Sequence, residues 1–252
     1  MYQNPPHLAV VIMAAGKGTR MKSELAKVLH PLAGRPLLHY ALDLAGELGA
    51  ERTVVVVGHQ APAVQEAAQG FPSVRFALQE PQLGTGHAMQ AALPGLAGHQ
   101  GPVLVLYGDV PGLRAATLRR LWEAHHSQGL AMTVLAMELP DPGHYGRLVR
   151  EPGGGLCRIV EFRDASPAER TITLVNSGIY LFEATPLREG LSQLRPDNDQ
   201  GEYYLTDLVE ILHRGGWPVG FALCPDAWEV AGINSQEELA AYAARLSSAQ
   251  GS

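Results

Sequence analysis

An α/β fold built on a mainly parallel sheet, with an antiparallel extension in its second half, is what this sequence predicts. Three observations predict it. Short apolar runs alternate with helical stretches up to about residue 130, and such alternation implies right-handed crossovers between parallel strands. Polar, glycine-bearing segments follow the first, third and fourth runs, at the carboxyl edge where open sheets of this kind place ligands. Beyond residue 130 strand-like runs continue with few helices between them.

Leu8 to Met13 is a continuous β-rich run that stops at a glycine cluster, which suits a central strand covered on both faces. Gly16 to His30 is a long polar connection carrying Lys17, Arg20, Lys22 and Lys27, and a loop of that length inside a compact domain is usually functional. Pro36 to Leu48 reads as a helix, with proline near its start and Gly49 past its end. Thr53 to Val57, Val74 to Leu78 and Pro102 to Tyr107 read as further strands. Ala63 to Gln69, Thr85 to Leu93 and Arg114 to Ser127 read as the helices between and after them.

In the second half, Leu130 to Met137, Gly146 to Arg150, Leu156 to Phe162 and Leu174 to Phe182 read as strands that wall the sheet edge. Leu187 to Leu194, Tyr203 to His213 and Ser235 to Leu246 read as helices, and the tail SSAQGS as disordered. No linker, repeat or low-complexity tract divides the chain. Residues 1–252 are therefore expected as a single domain, with a first half over about 7–130 and a second over about 131–246.

Composition bounds the partners. The 252 residues are 46% apolar and 17% charged, which supports a packed core. The net charge of −6 argues against a nucleic-acid or anionic-membrane binder, so any anionic ligand needs a few local positive groups. Cys157 and Cys224 form no paired motif, which suits a reducing cytoplasm. MYQNPPH lacks a basic leader region, and LAVVIMAA is far shorter than the ~20 residues a membrane span needs.

Five groups of residues carry chemistry. In AAGKGTRM (Ala14 to Met21), Gly-x-Gly after a strand lets backbone N–H groups approach phosphates, and Ala14 and Ala15 leave room for a flat base. It is neither a P-loop nor a full dinucleotide fingerprint, and the plain alternative is a glycine turn. In SELAKVLH (Ser23 to His30), Lys27 can present a point charge to a transferring phosphoryl group, or simply be a surface lysine. In QEPQLGTGHA (Gln79 to Ala88), the Gln79 amide suits a base edge, and Gly84 and Thr85 offer N–H groups at a helix start where Thr85 can also act as a cap. In LYGDVP (Leu106 to Pro111), Asp109 ends an apolar strand and suits a hard cation, or a turn before Pro111. The last group comprises YGR from Tyr145, Glu161 in an apolar strand, Asn176 in NSGIY, GEYYLTD from Gly201 and Asn234 in AGINS. Glu161 suits sugar hydroxyls, and each asparagine lies at an element end, where a cap or turn is the ordinary role.

Together these segments, in this order over residues 7 to 246, resemble the sugar-nucleotide pyrophosphorylases. They are most similar to the uridylyltransferase domain of bacterial N-acetylglucosamine-1-phosphate uridylyltransferases, which GTGHA and GEYYLTD favour over the thymidylyl and glucose relatives. The resemblance implies a Rossmann-like three-layer sandwich with a mainly parallel mixed central sheet and an antiparallel sugar-binding extension. It implies Mg2+-dependent transfer of UMP from UTP to N-acetylglucosamine 1-phosphate. The products would be UDP-N-acetylglucosamine, which feeds peptidoglycan and cell-wall synthesis in the cytoplasm, and pyrophosphate. By the same resemblance Ala14, Ala15, Gly16 and Gly18 hold uridine and phosphates, Gln79 reads uracil, and Gln82, Gly84, Thr85, Tyr107 and Gly108 line the nucleotide site. Arg20 and Lys27 meet the triphosphate, Asp109 and Asn234 bind magnesium, and Gly146, Glu161 and Asn176 receive the amino sugar.

The chain departs from that family in three places. Ala26 stands where proline usually precedes the motif lysine, which implies a less rigid loop. Gly112 stands where a bulky apolar residue usually follows the Asp-x-Pro step. The hexapeptide repeats that in most bacterial members form an acetyltransferase β-helix and a trimer are absent from these residues, so no acetyltransferase activity is assigned. The rivals are a relative using glucose 1-phosphate or dTTP, a nucleotide-sensing module of the same fold, and a dinucleotide oxidoreductase. Arg20, Lys27 and Asp109 together favour catalysis, and the missing third glycine disfavours the oxidoreductase.

Overall fold

A computed structural model describes residues 4–71 and 73–250 of the chain. The first half runs β1 (Ala9–Met13), β2 (Pro31–Leu32), β3 (Arg35–Pro36), α1 (Leu37–Glu47), β4 (Arg52–Val57), α2 (Ala61–Ala67), β5 (Val74–Leu78), α3 (Thr85–Ala92), β6 (Val103–Tyr107) and α4 (Ala115–Ser127). The second half runs β7 (Met132–Glu138), β8 (Arg147–Arg150), β9 (Leu156–Val160), β10 (Leu174–Phe182), α5 (Ala184–Leu191), α6 (Asp207–Arg214), β11 (Val219–Leu223) and α7 (Gln236–Gln250).

The main sheet is ordered β11-β7-β10-β6-β1-β4-β5, and the β8–β9 hairpin hangs on β10. β6, β1, β4 and β5 are parallel neighbours. β10 runs antiparallel between β6 and β7, so a strand from the second half is paired into the sheet of the first. β1 shows why the sheet has two covered faces. Val10 and Ile12 enter a core with Leu38 of α1, Val64 of α2 and Leu121 of α4. Val11 and Met13 enter a second core with Met89 of α3, Leu187 of α5 and Leu208 of α6. A period of two along a strand sends alternate residues to opposite faces, so β1 is apolar throughout and helices cover both sides.

Several expectations are corrected. β11 was not anticipated; it pairs parallel to β7 and extends the sheet at its edge. α5 begins at Ala184 rather than Leu187, because Pro186 is tolerated within a first turn. α6 begins at Asp207 rather than Tyr203, because the preceding residues pair with the Leu83–Thr85 segment instead. The tail Ser247 to Gln250, expected as disordered, continues α7, and Ser247 returns a hydrogen bond of 3.1 Å to the Ala243 carbonyl. Gly251 and Ser252 of that tail, like Met1 to Gln3 of MYQNPPH, lie outside the described residues. Among the described residues no helix is long and apolar enough to cross a membrane.

Candidate active site

The connection after β1 folds back on itself as two 3-10 turns, Thr19–Met21 and Lys27–Leu29. Gly18 makes this possible. Its φ is +61°, and a Cβ there would stand 2.6 Å from the Lys27 Cβ, so a side chain at position 18 would push Lys27 away. Gln60 fixes the other end of the connection. Its Oε1 accepts from Ala26 N at 2.8 Å, and its Nε2 donates to the Glu24 carbonyl. A proline at position 26 has no N–H to give. Ala26 thus trades ring rigidity for a tether.

Lys27 is the centre of the site. Its ammonium donates to Asp109 Oδ2 and, at 3.1 Å, to Asn234 Oδ1. Asp109 follows β6 and is buried. Asn234 comes from the far end of the chain, where the Ile233 N–H bonds the Asp109 carbonyl at 2.9 Å. The Asn234 amide is oriented by its own neighbours: Nδ2 donates to the Gly232 carbonyl at 3.0 Å, which turns Oδ1 toward the cation. Its N–H donates to Glu238 Oε2 of α7 at 2.6 Å. Two hard oxygen donors from distant parts of the chain already share one positive charge, which is the donor chemistry a magnesium ion accepts. Among the described residues no cluster of three His, Cys, Asp or Glu offers an alternative metal site.

On one side of this cluster lies a cleft of ≈ 400 Å³. Ala14, Ala15, Gly16, Gly18, Gln79, Gln82, Gly84, Thr85, Tyr107, Lys27 and Asp109 line it, together with Lys17, whose charge the glycine-loop motif places near phosphate, and Glu202, which was not assigned to the site from sequence. Gly108 is not among its lining residues; a Cβ on it would meet Val28 and Leu38. Gln79 is buried and its Nε2 donates to the Gly84 carbonyl at 2.9 Å, leaving Oε1 without a protein partner among the described residues. Gln82 Nε2 bonds the Ala15 carbonyl and holds the loop against the cleft floor. Thr85 does not cap α3; its hydroxyl accepts from Leu205 N at 3.1 Å. That bond and Gly86 N to Tyr203 O at 2.7 Å explain the GEYYLTD segment, which zips onto the cleft rim. Gly84, at φ +102°, lets the Tyr203 backbone come within 2.6 Å of where its Cβ would be.

On the other side lies a cavity of ≈ 470 Å³ lined by Arg20, Tyr145, Trp228, Asn234 and Tyr242 among others. Arg20 therefore faces this cavity and not the first cleft, while Lys17 takes the place beside the cleft. The remaining predicted residues form a wall. The Gly146 carbonyl accepts from Asn176 N at 2.8 Å, and a Cβ on Gly146 would meet Ile159 and the Glu161 carboxylate. Glu161 lies just past β9 rather than inside it, and accepts from the Thr206 hydroxyl at 3.0 Å. Asn176 is not at an element end. It sits mid-strand in β10, where the pairing with β7 shifts, with Oδ1 accepting from Gly178 N at 2.9 Å and Nδ2 bonding the Tyr180 hydroxyl at 2.6 Å.

Burial dominates the electrostatics of this wall. It raises the Glu161 carboxyl, against the Thr206 hydrogen bond. Burial, then the charges of Asp109 and Glu161, raises the Tyr107 phenol, so Tyr107 lines the cleft as a neutral group. Asp207, behind Thr206, is pushed up to about 6 by burial and then by Glu161.

A model of the MobA-like NTP transferase domain matches residues 10–172. The bifunctional protein GlmU of Pelobacter propionicus is 49% identical over 240 residues, 95% of this chain and 52% of the relative. That of an Acidovorax species is 53% identical over 239 residues, 92% and 50%, and that of Corynebacterium efficiens 48% over 243 residues, 94% and 50%. The chain thus spans about half the length of the curated relatives it matches. A crystal structure of UDP-glucose pyrophosphorylase complexed with UDP-glucose shares the fold, with a TM-score of 0.76 at 18% identity, over 98% of this chain and 99% of that one.

Proposed function

Since the chain belongs to the MobA-like NTP transferase domain family, we propose that it transfers UMP from UTP to N-acetylglucosamine 1-phosphate, giving UDP-N-acetylglucosamine and pyrophosphate. The observation that carries this reading is the Lys27 ammonium held by both Asp109 and Asn234 beside the cleft. In this reading the cleft takes UTP, with Gln79 Oε1 free to accept from the base and the Gly16–Gly18 backbone near the phosphates. The Gly146, Glu161 and Asn176 wall takes the amino sugar. Asp109 and Asn234 would hold Mg2+, which when bound neutralises phosphate charge and polarises phosphoryl oxygens.

No protein nucleophile is required. The sugar phosphate, with a second pKa of roughly 6, is mostly dianionic at neutral pH, and its oxygen attacks the α-phosphorus in line as pyrophosphate leaves. Repulsion between two polyanions is the obstacle, and Lys27 and Lys17 from the cleft side and Arg20 from the other offset it while the walls hold the reactants together. The product serves cell-wall synthesis in the cytoplasm.

A pyrophosphate-release assay with UTP and N-acetylglucosamine 1-phosphate, with and without Mg2+, tests it, with glucose 1-phosphate and dTTP as competitors. Release dependent on Mg2+ and strongest with the named pair is the expected result. No release, or a uridylyl-enzyme trapped on the protein, overturns it. Asp109→Asn is expected to lower kcat by about 10²–10³-fold, the scale seen when one preorganised charge-stabilising group is lost, with UTP affinity little changed by calorimetry.

A further inference from the structure

Arg147, in the YGR segment, begins β8 and is one of the largest fully buried side chains of the protein. No carboxylate lies in ion-pair range of it among the described residues. Its guanidinium donates instead to three backbone carbonyls: Tyr145, Gly143 at 2.9 Å and Arg170 at 3.5 Å. Among the described residues its Nε has no hydrogen-bond partner. Its guanidinium carbon Cζ lies 5.2 Å from the centre of the Phe162 ring, against which His144 packs edge-on and over which Arg170 also stands. Phe162 directly follows Glu161, and Tyr145 directly precedes Gly146. Backbone pairing adds to this, since Arg147 opposes Val160 of β9 and Val175 of β10.

Asp141 and Glu161 favour its charge from beyond contact while Arg170 opposes it, so this buried cation is held directly by backbone carbonyls alone, a costly arrangement for a fold. A fold that only needed a packed hairpin would be as well served by leucine or methionine. What a guanidinium adds is a planar fork that can grip several carbonyls at once while stacking on an aromatic ring. We propose that Arg147 is a positioning residue of the sugar-phosphate wall: it clamps the Gly143–Gly146 loop to the Glu161–Phe162 turn, and so sets the spacing between the Gly146 backbone and the Glu161 carboxylate. Through the Gly146 carbonyl, which accepts from Asn176 N, the clamp extends to the third wall residue. None of this touches the uridine cleft, whose lining residues include no member of the β8–β9 hairpin.

The inference rests on the wall receiving the sugar phosphate, and the experiment separates the two. Wild type, Arg147→Met, Arg147→Lys and Phe162→Leu are compared by KM for each substrate. Binding of UTP alone, and of N-acetylglucosamine 1-phosphate in the presence of a non-hydrolysable UTP analogue, is measured by calorimetry. Arg147→Met is expected to raise the KM for the sugar phosphate at least tenfold with the UTP KM within twofold, Arg147→Lys to recover part of that loss, and Phe162→Leu to shift the same constant in the same direction. UTP binding certifies that each variant is folded. Equal losses for both substrates in Phe162→Leu and Arg147→Lys, or no selective loss in any variant, overturn the clamp. Failure of wild type to bind the sugar phosphate at all overturns the wall assignment instead, and the clamp with it.

Discussion

At Asn234 a single amide has two faces, and the Gly232 carbonyl decides which one meets the cation. Local choices of this kind set the behaviour of the site residue by residue. Ala26 is another. Replacing it by proline removes a hydrogen bond to Gln60 worth about 1 kcal/mol but stiffens the unfolded chain by about 0.4–1 kcal/mol. Ala26→Pro is therefore expected to leave stability almost unchanged. Gln60→Ala is expected to cost measurably less in the proline background than in wild type, a coupling that a double-mutant cycle in urea reads directly. Asp207 gives a pH signature. Its folded pKa of about 6 lies above its unfolded value of about 3.9, chiefly through burial. The stability it supports is complete below about pH 4 and is lost as pH rises through 6. Asp207→Asn, which imitates the protonated form, is expected to raise the Tm at pH 8 and leave it unchanged near pH 4. Equal gains at both pH values would rule this out.

At the level of elements, α7 is part of the site. Glu238 holds the Asn234 backbone, and Tyr242 packs with Leu32, Leu37 and Ile233. The glycine at position 112 now has a physical reason. A Cβ there would collide with the Tyr242 hydroxyl and stand 2.9 Å from the Trp228 carbonyl oxygen. Tyr242 fills the space that a larger residue at 112 would claim. Gly112→Val is expected to destabilise by about 1–3 kcal/mol through overpacking, and Tyr242→Ala to restore part of that loss in the double variant, both by chemical denaturation. This compensation was not legible in the sequence, because the two residues are joined only by the fold. The longer strands and helices of the first half were legible, since their apolar periodicity is strong; the two-residue β2 and β3 were not. β11 was not: VGFAL is half-buried at an edge, with a glycine inside it, and shows neither clean alternation nor full burial. The charged motifs of the cleft could be read because their chemistry is local. Gln60 and Arg147 could not, because their meaning lies in carbonyls and N–H groups contributed by other segments.

Across the whole molecule, the two halves share one sheet. β10 lies between β6 and β7, and Tyr180 and Phe182 enter the same core as Val103 and Val105. A fragment ending near residue 130 would expose the β6 edge and half of that core, so it is expected to lack cooperative unfolding in far-UV circular dichroism and to aggregate. A cooperative melt from that fragment would show that the first half is an autonomous unit. The polar cluster is equally distributed, since Asp109 and Asn234 lie 82 and 207 residues beyond Lys27. During synthesis the ribosome delivers Asn234 207 residues after Lys27. A nascent or prematurely released polypeptide can therefore display its glycine-rich loop long before it owns a complete reaction centre, and such incomplete products are born inert.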